Sequence, residues 1–143
     1  MIRKATIEDI QSIVKLEESV FPVSLGETFL YDELMLNPFA HYFVYEINME
    51  ILGYIGYRAI DETSEMMNFA VSPKAQGMKI GSNLLAYSIN YLKQIGVKKI
   101  MLEVRKSNTK AQHLYEKFGF IQSYIRKNYY ETEDAYVYIK EVS

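Results

Sequence analysis

The sequence predicts an α/β fold, a mixed α+β arrangement in which one sheet of about seven strands carries helices on both faces. Three observations carry that expectation. Segments rich in β-branched and aromatic residues recur at strand length between turn residues. Other stretches place apolar residues at helical spacing instead. The resulting order is β-α-α-β-β-β-α-β-α-β-β, in which the strand at 66–71, the helix after it and the strand at 99–104 form a right-handed crossover between parallel strands.

At 143 residues the chain is the size of one domain, taken as 1–143, and long enough to bury roughly two-thirds of its unfolded surface. An apolar fraction of 49% suits a packed globule, and no apolar run approaches the ~20 residues of a membrane span. The N-terminal Met1-Ile-Arg-Lys-Ala-Thr6 lacks the apolar core and cleavage site of a signal peptide. A soluble, cytoplasmic protein without a membrane partner is therefore expected. The absence of cysteine removes disulfides, thiolate metal sites and covalent catalysis through an enzyme thiol. Net charge is −2 with no basic stripe, which argues against direct nucleic-acid binding. Most of the 13 tyrosines belong in strands, where aromatics pack well; a few remain to line a site.

Ile2 to Ala5 reads as a short first strand. Thr6 and Asp9 resemble a capping box that opens a helix with Ile7, Ile10, Ile13, Val14 and Val20 on one side, ended by Phe21-Pro22. A second helix covers Glu27 to Leu36 and stops before Asn37-Pro38, because the residue before proline resists helical angles. Between the two, Pro22-Val-Ser-Leu-Gly26 is either a connector or a lid on the substrate side. Tyr42–Ile47 and Ile51–Ile60 form a hairpin about Asn48-Met-Glu50, and Asp61-Glu-Thr-Ser64 turns into the strand Met66–Val71. Pro73, which cannot donate to a ladder, ends that strand. From Ile80 a helix aligns Ile80, Leu84, Leu85, Ser88, Leu92 and Ile95 and is capped by Gly96. Lys99–Arg105 is a further strand. Asn108 and Thr109 open a helix with Ala111, Leu114, Tyr115 and Phe118 inward, ended by Gly119. Phe120–Lys127 and Ala135–Lys140 are the last strands, joined by the loop Asn128-Tyr-Tyr-Glu-Thr-Glu-Asp134.

Between Val71 and Ile80 the order is strand, glycine-containing loop, helix N-terminus. Gly77 and Gly81 allow tight turning and close backbone approach. Free N–H groups and the positive end of the helix dipole converge there, an arrangement suited to phosphate or pyrophosphate. The loop is neither a P-loop nor G-x-G-x-x-G, so by itself it is either a pyrophosphate cradle or a plain helix entrance. Ligands of such sheets sit at the carboxyl ends of strands. Both this loop and Glu103–Asn108 lie there, and that convergence favours a real site.

Glu103, between Leu102 and Val104, is either a cross-strand ion-pair partner or a cleft carboxylate acting as general base, directly or through water. Tyr115 is either a core aromatic or a proton donor to a departing anion, since a phenol of pKa about 10 roughly matches a thiolate leaving group. Asn108 reads first as an N-cap. His41 and His113 lack partners at the spacing a metal site or triad needs, and no metal is expected.

The runs Val71-x-Pro73-x-x-Gln76-Gly77-x-x-Ile80-Gly81, Leu102-Glu-Val-Arg-x-Ser-Asn108 and Leu114-Tyr-x-x-x-Gly-Phe120 resemble the GCN5-related N-acetyltransferase superfamily over nearly the whole chain. Asn68-Phe-Ala-Val71, the full Leu102–Asn108 string and Arg126-Lys-Asn-Tyr-Tyr130 followed by Glu133-Asp-Ala135 are similar, within it, to the bacterial ribosomal-protein alanine N-acetyltransferases. The resemblance implies acetyl-CoA as co-substrate, its acetyl and pantetheine portions along Phe69, Ala70 and Val71. It implies a pyrophosphate cradle of Gln76, Gly77, Met78, Lys79, Ile80, Gly81 and Ser82, with Asn108 on the cofactor arm. Glu103 takes the general-base position and Tyr115 the general-acid position, while Asn68, Tyr129 and Tyr130 surround the acceptor terminus. The chain departs from the family at Lys79, which replaces the loop's first consensus glycine, and at Pro22-Val23, where Pro-Trp is frequent. The first bears on CoA affinity and the second on acceptor preference.

The implied reaction is direct acetyl transfer to a protein's N-terminal α-amine, with a ribosomal protein beginning in alanine as first candidate. Such an amine, of pKa about 7.8, is ~15% neutral at pH 7, whereas a lysine is roughly 400-fold less available, a gap of about 3.5 kcal/mol. One rival is acetylation of a polyamine, another small amine or a lysine side chain, which the acidic Glu131, Glu133 and Asp134 would favour. A rival of another class is a non-catalytic CoA-binding scaffold, against which the Glu103 and Tyr115 pair stands. A monomer or weak homodimer through tyrosine-rich edges is expected.

Overall fold

Alternating apolar and polar residues build a sheet whose two faces pack against different helices. The computed structural model describes residues 1–130 and 132–142, and Glu131, counted above with the acidic loop, lies outside the described residues. Ile2–Lys4 (β1) pairs antiparallel with Ala40–Ile47 (β2), β2 with Glu50–Ile60 (β3), and β3 with Thr63–Val71 (β4). Next comes Lys99–Arg105 (β5), parallel to β4, then Glu133–Glu141 (β7) and Ile121–Tyr130 (β6), both joined antiparallel. The sheet has seven strands in the order β1-β2-β3-β4-β5-β7-β6. The helices are Ile10–Val20 (α1), Glu27–Tyr31 (α2, continued by a wider turn over Asp32–Leu36), Ile80–Gln94 (α3) and Thr109–Lys117 (α4). This is the element order expected from the sequence. Among the described residues no helix is long and apolar enough to cross a membrane.

Local chemistry explains the joints. Asn48 and Met49 take φ of 49° and 65°, as a two-residue turn matched to the strand twist requires. The Thr6 N–H donates to Asp9 Oδ2 at 2.8 Å, completing the expected capping box. Arg3 donates to both Asp9 oxygens at 2.8 Å, which ties β1 to the first turn.

Three expectations are corrected. Ile7 lies in a 3-10 turn ahead of α1, and Val20 ends that helix; the change of pitch leaves both exposed, while Ile10, Ile13 and Leu16 form the buried stripe. Ile95 follows the last turn of α3 and is exposed. The segment at 128–134 is mostly strand: β6 runs to Tyr130 and β7 starts at Glu133. Almost all of β6 is exposed, so it lacks the apolar alternation that marks a strand in sequence.

One core, with Leu84, Leu85, Leu92, Leu102 and Phe120, lies on the α3 and α4 face. The other, with Ile13, Leu30, Tyr42 and Tyr54, lies on the α1 and α2 face. Between β4 and β5 the ladder comprises Thr63 with Lys99, Ser64 with Ile100 and Glu65 with Met101. β4 nevertheless continues to Val71 and β5 to Arg105, so the strands part toward their carboxyl ends. A bulge in β4 accompanies the split. Tyr57 faces Met66 and Gly56 faces Asn68, leaving Met67 as the extra residue.

Candidate active site

The split opens between the sequence-predicted residues. In β5, Ile100, Leu102 and Val104 turn into the α3 and α4 core, so alternation sends Glu103 to the opposite face. Tyr115, on α4, is buried in the core that Glu103 turns away from. Carboxylate and phenol therefore lie on opposite faces, beside the stretch where β4 and β5 no longer pair.

Tyr115 packs at the head of the split against Phe69, with ring centroids 6.3 Å apart, and its hydroxyl meets Met66 Sδ at 3.8 Å. Burial pushes its phenol well above the ordinary value. Glu103 contacts Arg126, whose Nη1 lies 3.3 Å from Oε1. The Glu103 charge raises the Tyr129 phenol. Burial raises Tyr130, and Glu103 adds to it. The structure thus brings Glu103, Tyr129 and Tyr130 together on one side. Asn68 is further along β4, its side-chain nitrogen 3.4 Å from the Tyr42 hydroxyl.

The loop closes onto the end of the split. The Asn83 N–H makes the first bond of α3, to the Lys79 carbonyl at 3.0 Å, so the N–H groups of Ile80, Gly81 and Ser82 precede it. A Cβ on Gly81 would lie 3.5 Å from Phe69 Cζ and 3.6 Å from Val71 Cγ2, which shows how near the helix start comes to the end of β4. Ala70 is buried on the opposite face. Gln76 and Gly77 turn the chain, Gly77 with φ 84°. Met78 is exposed, and Lys79 adopts φ 58°. Asn108 caps α4, its Oδ1 accepting from the Ala111 N–H at 3.1 Å. The outline offers strand-edge backbone beside β4 and, at its far end, a helix N-terminus suited to an anion. A concavity of about 580 Å³ lies elsewhere, between α1, Met49–Ile51 and Ser72–Lys74.

Among the described acidic residues near the β6–β7 turn, Glu133 and Asp134 are engaged internally. Glu133 accepts from the Ser107 N–H at 2.9 Å and its hydroxyl at 3.0 Å, and pairs with Arg105 at 3.5 Å. Asp134 accepts from the Asn128 N–H at 2.9 Å.

Sequence reasoning missed two buried carboxylates on the α1 and α2 face of the sheet. Glu17, 0% exposed, accepts from the Tyr54 hydroxyl, the Ser24 hydroxyl at 2.7 Å and the Leu25 N–H at 3.2 Å. It fastens the far half of the 22–26 loop, whose Val23 is exposed. Glu33 accepts from Arg58 Nε at 3.1 Å, from Asn37 at 3.1 Å and from the Tyr42 hydroxyl at 3.2 Å. Burial opposes the Glu33 charge, but Arg58, Asn37 and Tyr42 outweigh it and hold the carboxyl below its usual range. Each acid sits next to an apolar stripe, Glu17 after Leu16 and Glu33 three residues after Leu30, and that position is the signal a sequence reader could use.

The site thus joins a split between parallel strands, a helix N-terminus at the end of that split, and a carboxylate and a phenol on its two faces. The chain belongs to the Acetyltransferase (GNAT) family, whose profile matches residues 8–120, and is an acetyl-CoA-dependent N-acetyltransferase. A Bacillus subtilis protein provisionally named ribosomal protein bS18-alanine N-acetyltransferase is 36% identical over 138 residues, covering 95% of this chain and 91% of that one. The ribosomal protein bS18-alanine N-acetyltransferase of Haemophilus ducreyi is 33% identical over 139 residues, covering 94% and 92%. The crystal structure of the ribosomal-protein-S18-alanine N-acetyltransferase from Escherichia coli superposes with TM-score 0.93 at 27% identity, over 100% of this chain and 94% of that one.

Proposed function

We propose that residues 1–143 act as one catalytic unit that acetylates the N-terminal α-amine of a protein. A ribosomal protein beginning with alanine is the first acceptor to try, as the names of the relatives suggest. The observation that carries the reading is the position of Glu103 and Tyr115 on opposite sides of the β4–β5 split. An acceptor can enter from the face of Glu103, Tyr129 and Tyr130 while the sulfur of the donor lies toward Tyr115.

Acetyl-CoA is a substrate here. Backbone groups of Phe69, Ala70 and Val71 hold its arm, Gln76 to Ser82 meet the pyrophosphate, and Asn108 touches the arm from α4. The acceptor ammonium gives a proton to Glu103, and its freed nitrogen attacks the thioester carbonyl. The C–N bond forms, the C–S bond breaks, and the departing sulfur takes a proton from Tyr115. The second nitrogen proton leaves to water, from which Tyr115 is refilled, and Glu103 returns its proton to solvent, so that each turnover frees one proton. Strand-edge N–H groups stabilise the oxyanion. A phenol is protonated at neutral pH, so Tyr115 holds the proton it gives; burial raises it above the match to a thiolate expected from its ordinary value. Its present acceptor, a thioether, is weak, so the hydroxyl is readily turned to another sulfur.

The test uses two matched peptides with an internal lysine, one with a free N-terminal alanine and one blocked, incubated with acetyl-CoA and read by mass spectrometry. Acetylation of the free terminus alone is expected; modification of both moves the acceptor to lysine. Glu103→Gln and Tyr115→Phe should each lower kcat/KM by about 10²-fold or more. Unchanged turnover in Glu103→Gln removes its role as base, and in Tyr115→Phe transfers the acid role to water.

A further inference from the structure

We propose that in the acceptor-free protein Arg126 occupies the place an incoming ammonium must take at Glu103, so that acceptor binding exchanges one cation for another. The inference rests on the reading of Glu103 as the carboxylate that meets the acceptor amine.

The ion pairs of the molecule differ in kind. Arg3 holds Asp9 through two bonds of 2.8 Å, and Arg58 meets Glu33 through both Nε and Nη2. Forked pairs of this kind fix the geometry of both side chains and are the stronger ones. Arg126 instead reaches Glu103 with one nitrogen at 3.3 Å, longer than a strong charge-assisted bond. Its side chain is 42% exposed, against 13% for Glu103.

The two residues are not on neighbouring strands. Arg126 lies on β6 and Glu103 on β5, with β7 between them, so the arginine extends across the acceptor face to make the contact. Its guanidinium also lies 5.4 Å from the centre of the Tyr129 ring, a soft support that a swinging side chain can leave. The other nearby cation, Arg105, is engaged by Glu133 at 3.5 Å and lies 4.0 Å from the Tyr130 ring centre. The Tyr129 hydroxyl also hydrogen-bonds Glu103 but carries no charge, so Arg126 is the cation an acceptor must displace.

The physical consequence is a lowered affinity with a matched charge. A carboxylate that is mostly out of water costs less when a cation sits against it, and an exposed monodentate arginine supplies one without closing the site. An acceptor ammonium then competes with a tethered guanidinium. Removing the tethered cation should raise acceptor affinity without touching the chemical step.

The experiment is steady-state kinetics at saturating acetyl-CoA with the alanyl peptide, on the full chain and on Arg126→Ala and Arg126→Gln. Both variants are expected to lower the peptide KM about two- to fivefold, the range an exposed ion pair supplies, with kcat little changed. Guanidinium chloride at millimolar concentration should raise the KM of Arg126→Ala back toward that of the parent, with a smaller effect on the parent and with sodium chloride at equal ionic strength as control. A KM that is unchanged, one that rises, or one that ignores guanidinium overturns the proposal; a rise would make Arg126 part of the acceptor's own binding surface. Arg126→Gln keeps much of the side-chain length, so agreement of the two variants separates lost charge from lost packing. A parent protein that acetylates no free N-terminus overturns the functional reading instead, and the two failures are distinguishable.

Discussion

Lys79 precedes the first turn of α3 with φ 58° and ψ 26°. A left-handed conformation costs an L-residue roughly 1–2 kcal/mol, a strain that glycine at this position would not carry. The lysine also sets an ammonium at the helix N-terminus, where an anionic ligand is expected. Lys79→Gly should therefore raise stability by up to about 1 kcal/mol, since glycine's larger unfolded-state entropy returns part of the strain relieved. The same change should raise the KM for acetyl-CoA. Thermal melting and a kinetic titration check both, and a less stable variant would refute the strain argument.

At the scale of elements, the approach of α3 to the sheet depends on a missing side chain. A Cβ on Gly53 of β3 would lie 2.9 Å from Ile80 Cγ2, 3.0 Å from Leu84 Cδ1 and 3.3 Å from the Ala70 carbonyl oxygen. Gly53→Ala should push the first turn of α3 outward, costing about 1–3 kcal/mol and weakening acetyl-CoA binding because Ile80 begins that turn. Gly81→Ala offers the contrast. Its Cβ would meet Phe69, Val71 and Leu114 at 3.5–3.8 Å, ordinary contact distances. Melting should then change little while acetyl-CoA affinity falls, which would locate the constraint at Gly81 in the ligand. Equal loss of stability in both variants would return the role of Gly81 to packing.

At the scale of the molecule, buried charges and phenols set the pH range of stability. Arg58, Asn37 and Tyr42 overcome burial to depress Glu33, and Arg3 and Thr6 overcome burial to depress Asp9. A depressed carboxyl stabilises the fold fully above the unfolded value of about 4, and the contribution fades as pH falls through the lower folded values. Burial raises Tyr42, Tyr54, Tyr57 and Tyr115. Their contribution is full below the unfolded phenol value of about 10 and is lost as pH rises beyond it through the folded values. Burial, with the Lys4 charge, lowers His41, so stability also falls once pH drops below the unfolded imidazole value of about 6.5. Urea unfolding followed against pH should show a plateau between about pH 7 and 9, with both limbs falling. Glu33→Gln should flatten the acid limb; an acid limb as steep as the parent's would assign that loss to other groups.

The sequence by itself determined the order of elements, the strand–loop–helix turn from Val71 to Ile80 and the family motifs around Glu103 and Tyr115. These are properties of neighbouring residues: helix phase, caps and turn residues act within a few positions. It did not show how far β6 extends, because an exposed strand leaves no apolar alternation to read. The tertiary structure alone decided that the β4–β5 ladder ends at Glu65 and Met101, since strand divergence depends on what each strand packs against. It alone placed Glu103 and Tyr115 on opposite sides of that opening. It also decided that Glu17 and Glu33 are buried, through Tyr54 at a separation of 37 residues and Arg58 at 25. A charge can leave water only when its partner is already in position, and a partner that distant in the chain is supplied by the fold.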